Sequence, residues 1–124
     1  HVNSVINKFN VVTPDSEVKA SSLSGGNLQK FVIGREILSN PKLLIISHPT
    51  WGIDAGAAFA IRESLISLSK KGTSIIVISQ DLDELFEITH RLSVIFNGNL
   101  SNSYLTKDVS LEKIGLLMGG HKNV

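Results

Sequence analysis

The segment LSGGNLQKFVIGREIL (residues 23–38) carries the first residues of this chain that could bind a ligand. Ser24 can cap the start of a helix, while Gly25 and Gly26 leave the neighbouring backbone N–H groups accessible. The first N–H groups of a helix lack partners within the helix and lie at the positive end of its dipole, so they attract anions such as phosphate. The segment therefore fits an anion site at Ser24, Gly25 and Gly26, although an ordinary capped helix after a flexible loop is the simpler interpretation of this turn taken alone.

The helix behind this turn is predicted from the spacing of its side chains. The residues that lie at helical intervals and are expected to form one face of an amphipathic helix are Leu28, Phe31, Val32, Arg35 and Leu38. This spacing places the Ser-Gly-Gly turn at the N-terminus of the helix.

A second group of polar residues follows two aliphatic runs. Ser47 and His48 come directly after LLII (43–46), and Gln80 comes shortly after IIVI (75–78). Ser47 brings no charge to a cation such as Mg²⁺, which prefers anionic oxygen ligands, although His48 could in principle act as a base near neutral pH. For His48 and Gln80 the simpler interpretation is a polar strand end with nothing to catalyse.

The aliphatic runs and the segments around them predict an α/β fold. LLII and IIVI have the composition of strands buried in a parallel sheet, and residues 55–72 between them have helical periodicity. A strand, a helix and a strand in this order predict a parallel βαβ unit with flanking helices. The further predicted elements are a helix at 82–89 capped by Asp81, a strand at 92–96, an Asn-Gly-Asn turn at 97–99, a strand at 100–104 and a short C-terminal helix at 110–118.

Composition limits the classes of function. The 124 residues suit one domain, they include no cysteine, and their net charge is +1. Disulfides and thiol chemistry are therefore excluded, and the near-neutral charge gives no reason to expect nucleic acid as a partner. The longest apolar runs are far shorter than the ~20 residues that cross a bilayer, so we expect a soluble chain. The histidines show no metal-ligand spacing, and we expect His90 and His121 to lie on the surface.

Three motifs in order give the chain its resemblance to a known family. LSGG (23–26) is followed by NPKLLII, PT and GID (40–54), and then by GTSIIVIS and DLDEL (72–85). Together they resemble the ATP-binding cassette (ABC) ATPases from about residue 10 to residue 120. LSGGN followed by QK, in place of LSGGQ, is most similar to the sugar and nucleoside importers. Because the chain opens on a short helix and a polar loop, the resemblance implies the C-terminal portion of a nucleotide-binding domain.

The resemblance implies roles for the residues that match these motifs. In such ATPases the signature loop, here Ser24, Gly25, Gly26 and Asn27, contacts the γ-phosphate of an ATP molecule held by a second nucleotide-binding domain arranged head-to-tail. Asp54 stands in the D-loop, which crosses that interface, and an aspartate there could also simply cap the next helix. We expect ATP and Mg²⁺ to be shared with the partner and not to bind tightly to this chain alone.

The resemblance also identifies positions where the catalytic residue types are missing. Ser47 stands where the family has the Walker B aspartate, His48 where it has the catalytic glutamate, and Gln80 where it has the switch histidine. No GxxxxGK[ST] phosphate loop occurs. The segment GLLMGGHK (115–122) does not match this motif, because His121 stands where the motif requires a lysine. We therefore predict that the chain's own site is hydrolytically inactive and holds no metal.

The expected function is the ATP-binding part of an ABC importer for a small polar solute such as a sugar or nucleoside. Expected partners are a second nucleotide-binding domain and transmembrane permease subunits, with the chain cytoplasmic and peripheral on the inner face of the plasma membrane. Two alternatives stay open: a non-catalytic interaction or regulatory remnant of an ABC ATPase, and an ABC-type ATPase of DNA maintenance. The predicted segments are 1–22 (remnant of the helical subdomain and loop), 23–40 (signature helix), 41–104 (Walker B, D-loop and switch part of the ATPase core) and 105–124 (C-terminal helix and tail).

Overall fold

The computed structural model describes residues 1–122 and 124. These residues form two compact units, His1–Gln80 and Asp81–Val124. The first unit contains α1 (Val2–Phe9), a 3₁₀ turn (Ala20–Ser22), α2 (Gly25–Leu38), β1 (Leu43–Ser47), α3 (Ala55–Lys70) and β2 (Ser74–Ile78). The second contains α4 (Leu82–Ile88), the two-residue strands β3 (Arg91–Leu92), β4 (Ile95–Phe96), β5 (Asn99–Leu100) and β6 (Tyr104–Leu105), and α5 (Leu111–Met118). Within the described part of the chain, no helix is both long enough and apolar enough to cross a membrane.

Strands β1 and β2 form the parallel pair that the two aliphatic runs predict, but the prediction that these strands are buried is wrong for one face, where Ile45 and Ile76 are 60% and 50% exposed because no described element covers them. Leu43 pairs with Ser74 and Ser47 pairs with Ile78, so the strands are in register over their whole length. Helix α3 connects them and buries its apolar side, including Ile61, which is fully buried. The predicted α/β class is confirmed, and the parallel direction brings the carboxyl ends of both strands to the same edge.

Helix α2 forms where it is predicted, but the prediction of its packed face is wrong. The buried residues are Lys30, Ile33, Gly34 and Ile37, whereas Val32 and Arg35 are exposed and Leu28, Phe31 and Leu38 are half-buried. Helix α1 packs against α2 at Gly34, where an added Cβ would lie 2.8 Å from Phe9 Cε2 and 2.9 Å from Val5 Cγ1. The packed face is therefore set by the close approach of α1, which the periodicity of α2 alone does not reveal.

The turn and the two helices of the second unit confirm their predictions. Asn97 and Gly98 have φ angles of 46° and 75°, the positive values that an Asn-Gly hairpin turn requires. The Asp81 carboxylate accepts a hydrogen bond from the Glu84 N–H at 3.1 Å and caps α4. The Ser110 hydroxyl oxygen caps α5 in the same way.

The strands predicted at 92–96 and 100–104 are each broken in two. Antiparallel pairing joins Arg91–Leu92 to Tyr104–Leu105 and Ile95–Phe96 to Asn99–Leu100. The break lies at Val94, whose N–H donates to the Ser101 hydroxyl oxygen at 2.9 Å. A side-chain oxygen thereby takes the place of a backbone acceptor, a competition that strand propensity does not predict.

Candidate functional site

The N-terminus of α2 carries the turn from Ser24 to Asn27. Ser24 is the N-cap, because its Oγ accepts hydrogen bonds from Asn27 Nδ2 at 2.9 Å and from the Asn27 backbone N–H at 3.4 Å. Asn27 Oδ1 in turn accepts from the Val12 N–H at 2.9 Å. These contacts hold the turn against the segment that follows α1.

The outer side of this turn is open. Ser24 and Gly25 are exposed, and apart from the chain neighbours of Gly25 and the backbone of its own helix, no atom of the described residues lies within 4 Å of the position that a Gly25 Cβ would occupy. The first turn of the helix holds no acidic side chain, so no negative charge of its own repels an anion. Because the first N–H groups of a helix have no intrahelical acceptor, this end can donate to an anionic oxygen such as that of a phosphate.

Ser47 and His48 lie together at the end of β1. Ser47 Oγ and His48 Nδ1 are hydrogen-bonded at 2.9 Å, and the His48 N–H donates to the Ile78 carbonyl oxygen at 2.8 Å. His48 has a φ of 48°, in the left-handed region, so the chain turns away from the strand directly after Ser47. Gln80 is exposed and follows the end of β2 by two residues. The structure thus places all three polar residues at one edge of the parallel pair.

This strand tip does not fit a Mg²⁺ ion. Ser47 supplies a neutral oxygen, and its hydroxyl group is already engaged with His48. Mg²⁺ is held in proteins mainly through carboxylates, phosphates and water. Across residues 1–122 and 124, no group of three His, Cys, Asp or Glu side chains is arranged to hold a metal ion.

Asp54 connects two parts of the first unit. Its Oδ1 accepts from the Ala57 N–H at 2.8 Å, so the interpretation of Asp54 as the cap of α3 is confirmed. Its Oδ2 forms an ion pair with Lys30 Nζ at 2.8 Å. The hydrogen bond from Lys30, followed by that from the Ala57 N–H, lowers the pKa of Asp54 below its ordinary value of 3.8. The carboxylate is thus ionised at neutral pH, and 57% of its side chain is exposed to solvent.

Gln29 and Lys30 are candidate functional residues that the sequence reasoning missed. Gln29 Nε2 donates to the His48 carbonyl oxygen at 2.8 Å, and Lys30 Nζ donates to the Asn10 carbonyl oxygen at 3.2 Å. Lys30 lies with Ile33 on the buried stripe of α2, but no signal in the sequence pointed to it, because the periodicity of the helix does not reveal that stripe. A lysine on a buried helix face requires a charged or polar partner. Gln29 left no signal in the sequence either.

Comparison with known proteins identifies relatives of the whole chain. No protein-family model matches it. It is 40% identical over 117 residues to the guanosine import ATP-binding protein NupO of Bacillus subtilis, over 94% of this chain and 23% of that protein. It is 43% identical over 117 residues to the galactose/methyl galactoside import ATP-binding protein MglA of Escherichia coli, over the same shares. The nucleoside import ATP-binding protein NupA of Lactococcus lactis is 40% identical over 124 residues, which are 99% of this chain and 24% of NupA.

The chain therefore spans less than a quarter of the length of these relatives. Among solved structures, an ATP-binding subunit of an ABC transporter matches with a TM-score of 0.82 at 20% identity, over 95% of this chain and 52% of that one. A dimeric ATP-binding cassette in a post-hydrolysis state, bound to ADP and Pi, matches with a TM-score of 0.73 at 20% identity, over 84% of this chain and 45% of that one.

The fold is that of an ABC ATPase domain. The homologues found by sequence indicate a narrower class than the fold does, because they are ATP-binding proteins of sugar and nucleoside importers. The resemblance that the LSGG, PT-GID and DLDEL motifs predict is thereby confirmed.

Proposed function

We propose that this chain is the part of an ABC importer's ATP-binding protein that presents a signature loop to ATP held by a second nucleotide-binding domain. The transported solute is a small polar molecule such as a sugar or a nucleoside. The observation that carries the proposal is the open N-terminus of α2, where Ser24 caps the helix and none of the described residues beyond the neighbouring chain packs on Gly25. The names of relatives at 40% to 43% identity support the importer class and favour import over DNA maintenance.

In this proposal the chain contributes hydrogen-bond donors and shape to the partner's site. Mg-ATP supplies the transferable phosphoryl group when the partner holds it. The backbone N–H groups of Gly25 and Gly26 donate to γ-phosphate oxygens, with Asn27 completing the turn, and stabilise the charge that phosphoryl transfer spreads over them. Asp54, in the D-loop position, presents its ionised carboxylate at the same interface. Trp51, which is 78% exposed in the loop before it, offers an aromatic surface to the partner.

We further propose that the strand tip of this chain does not hydrolyse ATP. Ser47 and His48 replace the two carboxylates of an active site, and Gln80 replaces a histidine. The hydrogen bond between Ser47 Oγ and His48 Nδ1 supports this, because it engages both side chains with each other and leaves the tip without a negative charge. Hydrolysis in the assembly then takes place in the partner's site.

One face of the parallel pair is covered, in this proposal, by the rest of a cassette domain. Leu43, Ile45, Ile76 and Ile78 share that face and are between 50% and 60% exposed, whereas Leu44 on the opposite face is 7% exposed. Parallel sheets are normally covered on both faces. The matched ATP-binding subunit is about twice as long as the part that corresponds to this chain, which supplies enough structure for the missing layer.

The proposal that the chain is part of an importer also includes its partners and its location in the cell. Transmembrane permease subunits are the membrane component, and the chain lies in the cytoplasm against the inner face of the plasma membrane. Within the chain, residues 23–40 act as the signature helix and residues 41–104 as the strand-tip, D-loop and switch part of the ATPase core, with 1–22 and 105–124 as flanking segments.

The substitution Gly25→Arg tests the signature loop in an assembly of this chain with a cassette that has a phosphate loop. Space around position 25 is open, so the fold and the thermal midpoint should be retained, while the arginine blocks approach to the γ-phosphate. We expect ATPase activity to fall by about 100-fold or more, as for the loss of transition-state hydrogen bonds. Ser24→Arg should have the same effect on activity but also removes the cap.

The matched control is Gly115→Arg on α5, because that helical glycine also has open space around it. This variant should retain full ATPase activity. Full activity of Gly25→Arg would show that the loop does not contact nucleotide, and the proposal would then be wrong.

A further inference from the structure

We propose that Gln29 and Lys30 are positioning residues that fix the signature loop, residues 24–27, to the loop that follows β1, residues 48–54. Both loops then reach the partner's nucleotide as one rigid unit. This inference rests on the proposed function and adds residues that touch neither ATP nor metal. Gly26, Gln29 and Lys30 are spaced by three and four residues, so they share one face of α2.

Lys30 supplies the charged contact between the loops. The residue is 5% exposed, and lysine is almost never buried to this extent without a partner. Its Nζ lies 2.8 Å from Asp54 Oδ2 and donates to the carbonyl oxygen of Asn10, directly after α1, at 3.2 Å. Asp54 in turn holds the first turn of α3 through the Ala57 N–H. One ammonium group thereby fixes an end of α1 and an end of α3 relative to α2.

Gln29 supplies a neutral contact to the same loop. Its Nε2 donates to the His48 carbonyl oxygen at 2.8 Å and lies 3.4 Å from the Pro49 carbonyl oxygen. Pro49 is fully buried, so the loop is also held by packing at this point. The amide of Gln29 therefore joins α2 to the backbone that leaves the strand tip.

The two loops also touch directly through their backbones. A Cβ on Gly26 would lie 3.0 Å from the Gly52 carbonyl oxygen, closer than side-chain carbons normally approach an oxygen, whereas Gly25 beside it has open space. Gly26 therefore faces the loop 48–54 and Gly25 faces outward. Because this contact is tight, a displacement of the loop 48–54 is transmitted to the signature loop.

The positioning role predicts an effect on rate that differs from a loss of stability. A signature loop displaced by about 1 Å still belongs to a folded helix, but such a misplacement can lower the rate by about 100-fold. In the proposed assembly the partner's phosphate loop provides most of the ground-state binding of ATP. A change at Lys30 should therefore lower kcat more than it raises KM.

The substitutions Lys30→Met and Lys30→Arg test this in the assembly with a phosphate-loop cassette. Methionine keeps the apolar stem but removes the ammonium group, and we expect kcat to fall by about 10- to 100-fold with KM for ATP changed by less than about threefold. Arginine keeps the cation and should restore most of kcat. Gln29→Leu removes the amide donor at similar volume and should act in the same direction as Lys30→Met.

The matched control is Arg35→Met, which removes an exposed cation from the same helix that is paired with its neighbour Glu36. It should leave both kinetic constants unchanged. If Lys30→Met keeps full kcat while Gly25→Arg is inactive, the signature loop works without this contact and the inference is wrong, although the proposed function stands.

If Gly25→Arg is itself fully active, the proposed function fails and amide hydrogen exchange in the assembly decides the inference alone. Lys30→Met should then raise exchange at the Leu28 and Ala57 N–H groups, which donate to the Ser24 carbonyl oxygen and to Asp54 Oδ1, by about tenfold or more relative to residues 33–37, because a local contact and not the whole helix is released. Equal exchange at these two N–H groups in Lys30→Met and in the unchanged protein would overturn the inference.

Discussion

Asp54 shows, at the scale of single residues, how local and distant contacts combine in one side chain. Its bond to the Ala57 N–H is a helix cap between residues three positions apart, and the sequence predicts it. Its ion pair with Lys30 joins two different helices and was not predicted. The two oxygens of one carboxylate thus bind α3 and α2 separately. The contact with Lys30 is the larger cause of the lowered pKa of Asp54.

The lowered pKa predicts a dependence of stability on pH. Because the folded-state pKa of Asp54 lies below the ordinary value of 3.8, its ionised form stabilises the fold above that value. This stabilisation is lost as the pH falls through the folded-state pKa. We expect Asp54→Asn to lower the thermal midpoint near neutral pH. Toward about pH 2 the thermal midpoint of this variant should approach that of the unchanged chain.

The control for this prediction is the same substitution in a Lys30→Met background. Since Lys30 is the main cause of the shift, the pH-dependent difference should shrink there. A difference in thermal midpoint between the unchanged chain and the Asp54→Asn variant that stays constant from about pH 7 to about pH 2 would contradict the ion pair.

At the scale of elements, helix starts were predictable and helix packing was not. Ser24, Asp54 and Asp81 each cap a helix with their side-chain oxygen, as short-range signals indicate. Ser110, predicted as the first residue of the last helix, is its cap instead. The packed face of α2 depends instead on where α1 lies, because side chains of α1 pack directly on the backbone of α2 at Gly34.

Gly34→Ala tests the packing of α1 on α2. The added methyl group would overlap Phe9 and Val5, so we expect a loss of about 1–3 kcal/mol in the free energy of unfolding. Gly115→Ala, on the open face of α5, should raise it by about 0.5–1 kcal/mol, since alanine favours a helix. Urea unfolding of both variants measures the two values, and a stabilising Gly34→Ala would show that α1 does not pack there.

At the scale of the whole molecule, the open face of the parallel pair is the feature that the proposed function must account for. Two strands with aliphatic side chains on both faces suit the interior of a larger sheet. The face that carries Leu44 and Ile46 is buried, and the opposite face carries the exposed Ile45 and Ile76 in direct register. A second layer on that face would stabilise the assembly by about 1.5–3 kcal/mol for each isoleucine side chain that it fully covers.

The double variant Ile45→Thr/Ile76→Thr tests this layer. In the chain alone, we expect the free energy of unfolding to change by less than about 1 kcal/mol, as for exposed sites. Binding to the complementary part of the NupO cassette, measured by calorimetry, should weaken by about tenfold or more. Ile61→Ala is the buried comparison and should cost about 2–5 kcal/mol in the chain alone. If the double variant lost as much free energy of unfolding as Ile61→Ala, the face would already be covered in the chain alone.

The sequence by itself determined the features that depend on neighbouring residues. The aliphatic composition of LLII and IIVI, the caps and the Asn-Gly turn act over a few positions, so they predict the βαβ order and the start of α2. The parallel direction then places Ser47 and Gln80 at one edge without further information. The motif order predicts the ABC class for the same reason, since each motif is a short stretch of chain.

Only the tertiary structure decided which distant groups meet. Gln29 and His48 are 19 residues apart in sequence, and Lys30 reaches both Asn10 and Asp54. These contacts follow from how α1, α2 and α3 pack, and packing depends on the shapes of several elements at once. A hydrogen-bond donor such as Gln29 has many possible acceptors within reach of a helix surface, and the folded arrangement of the helices selects one.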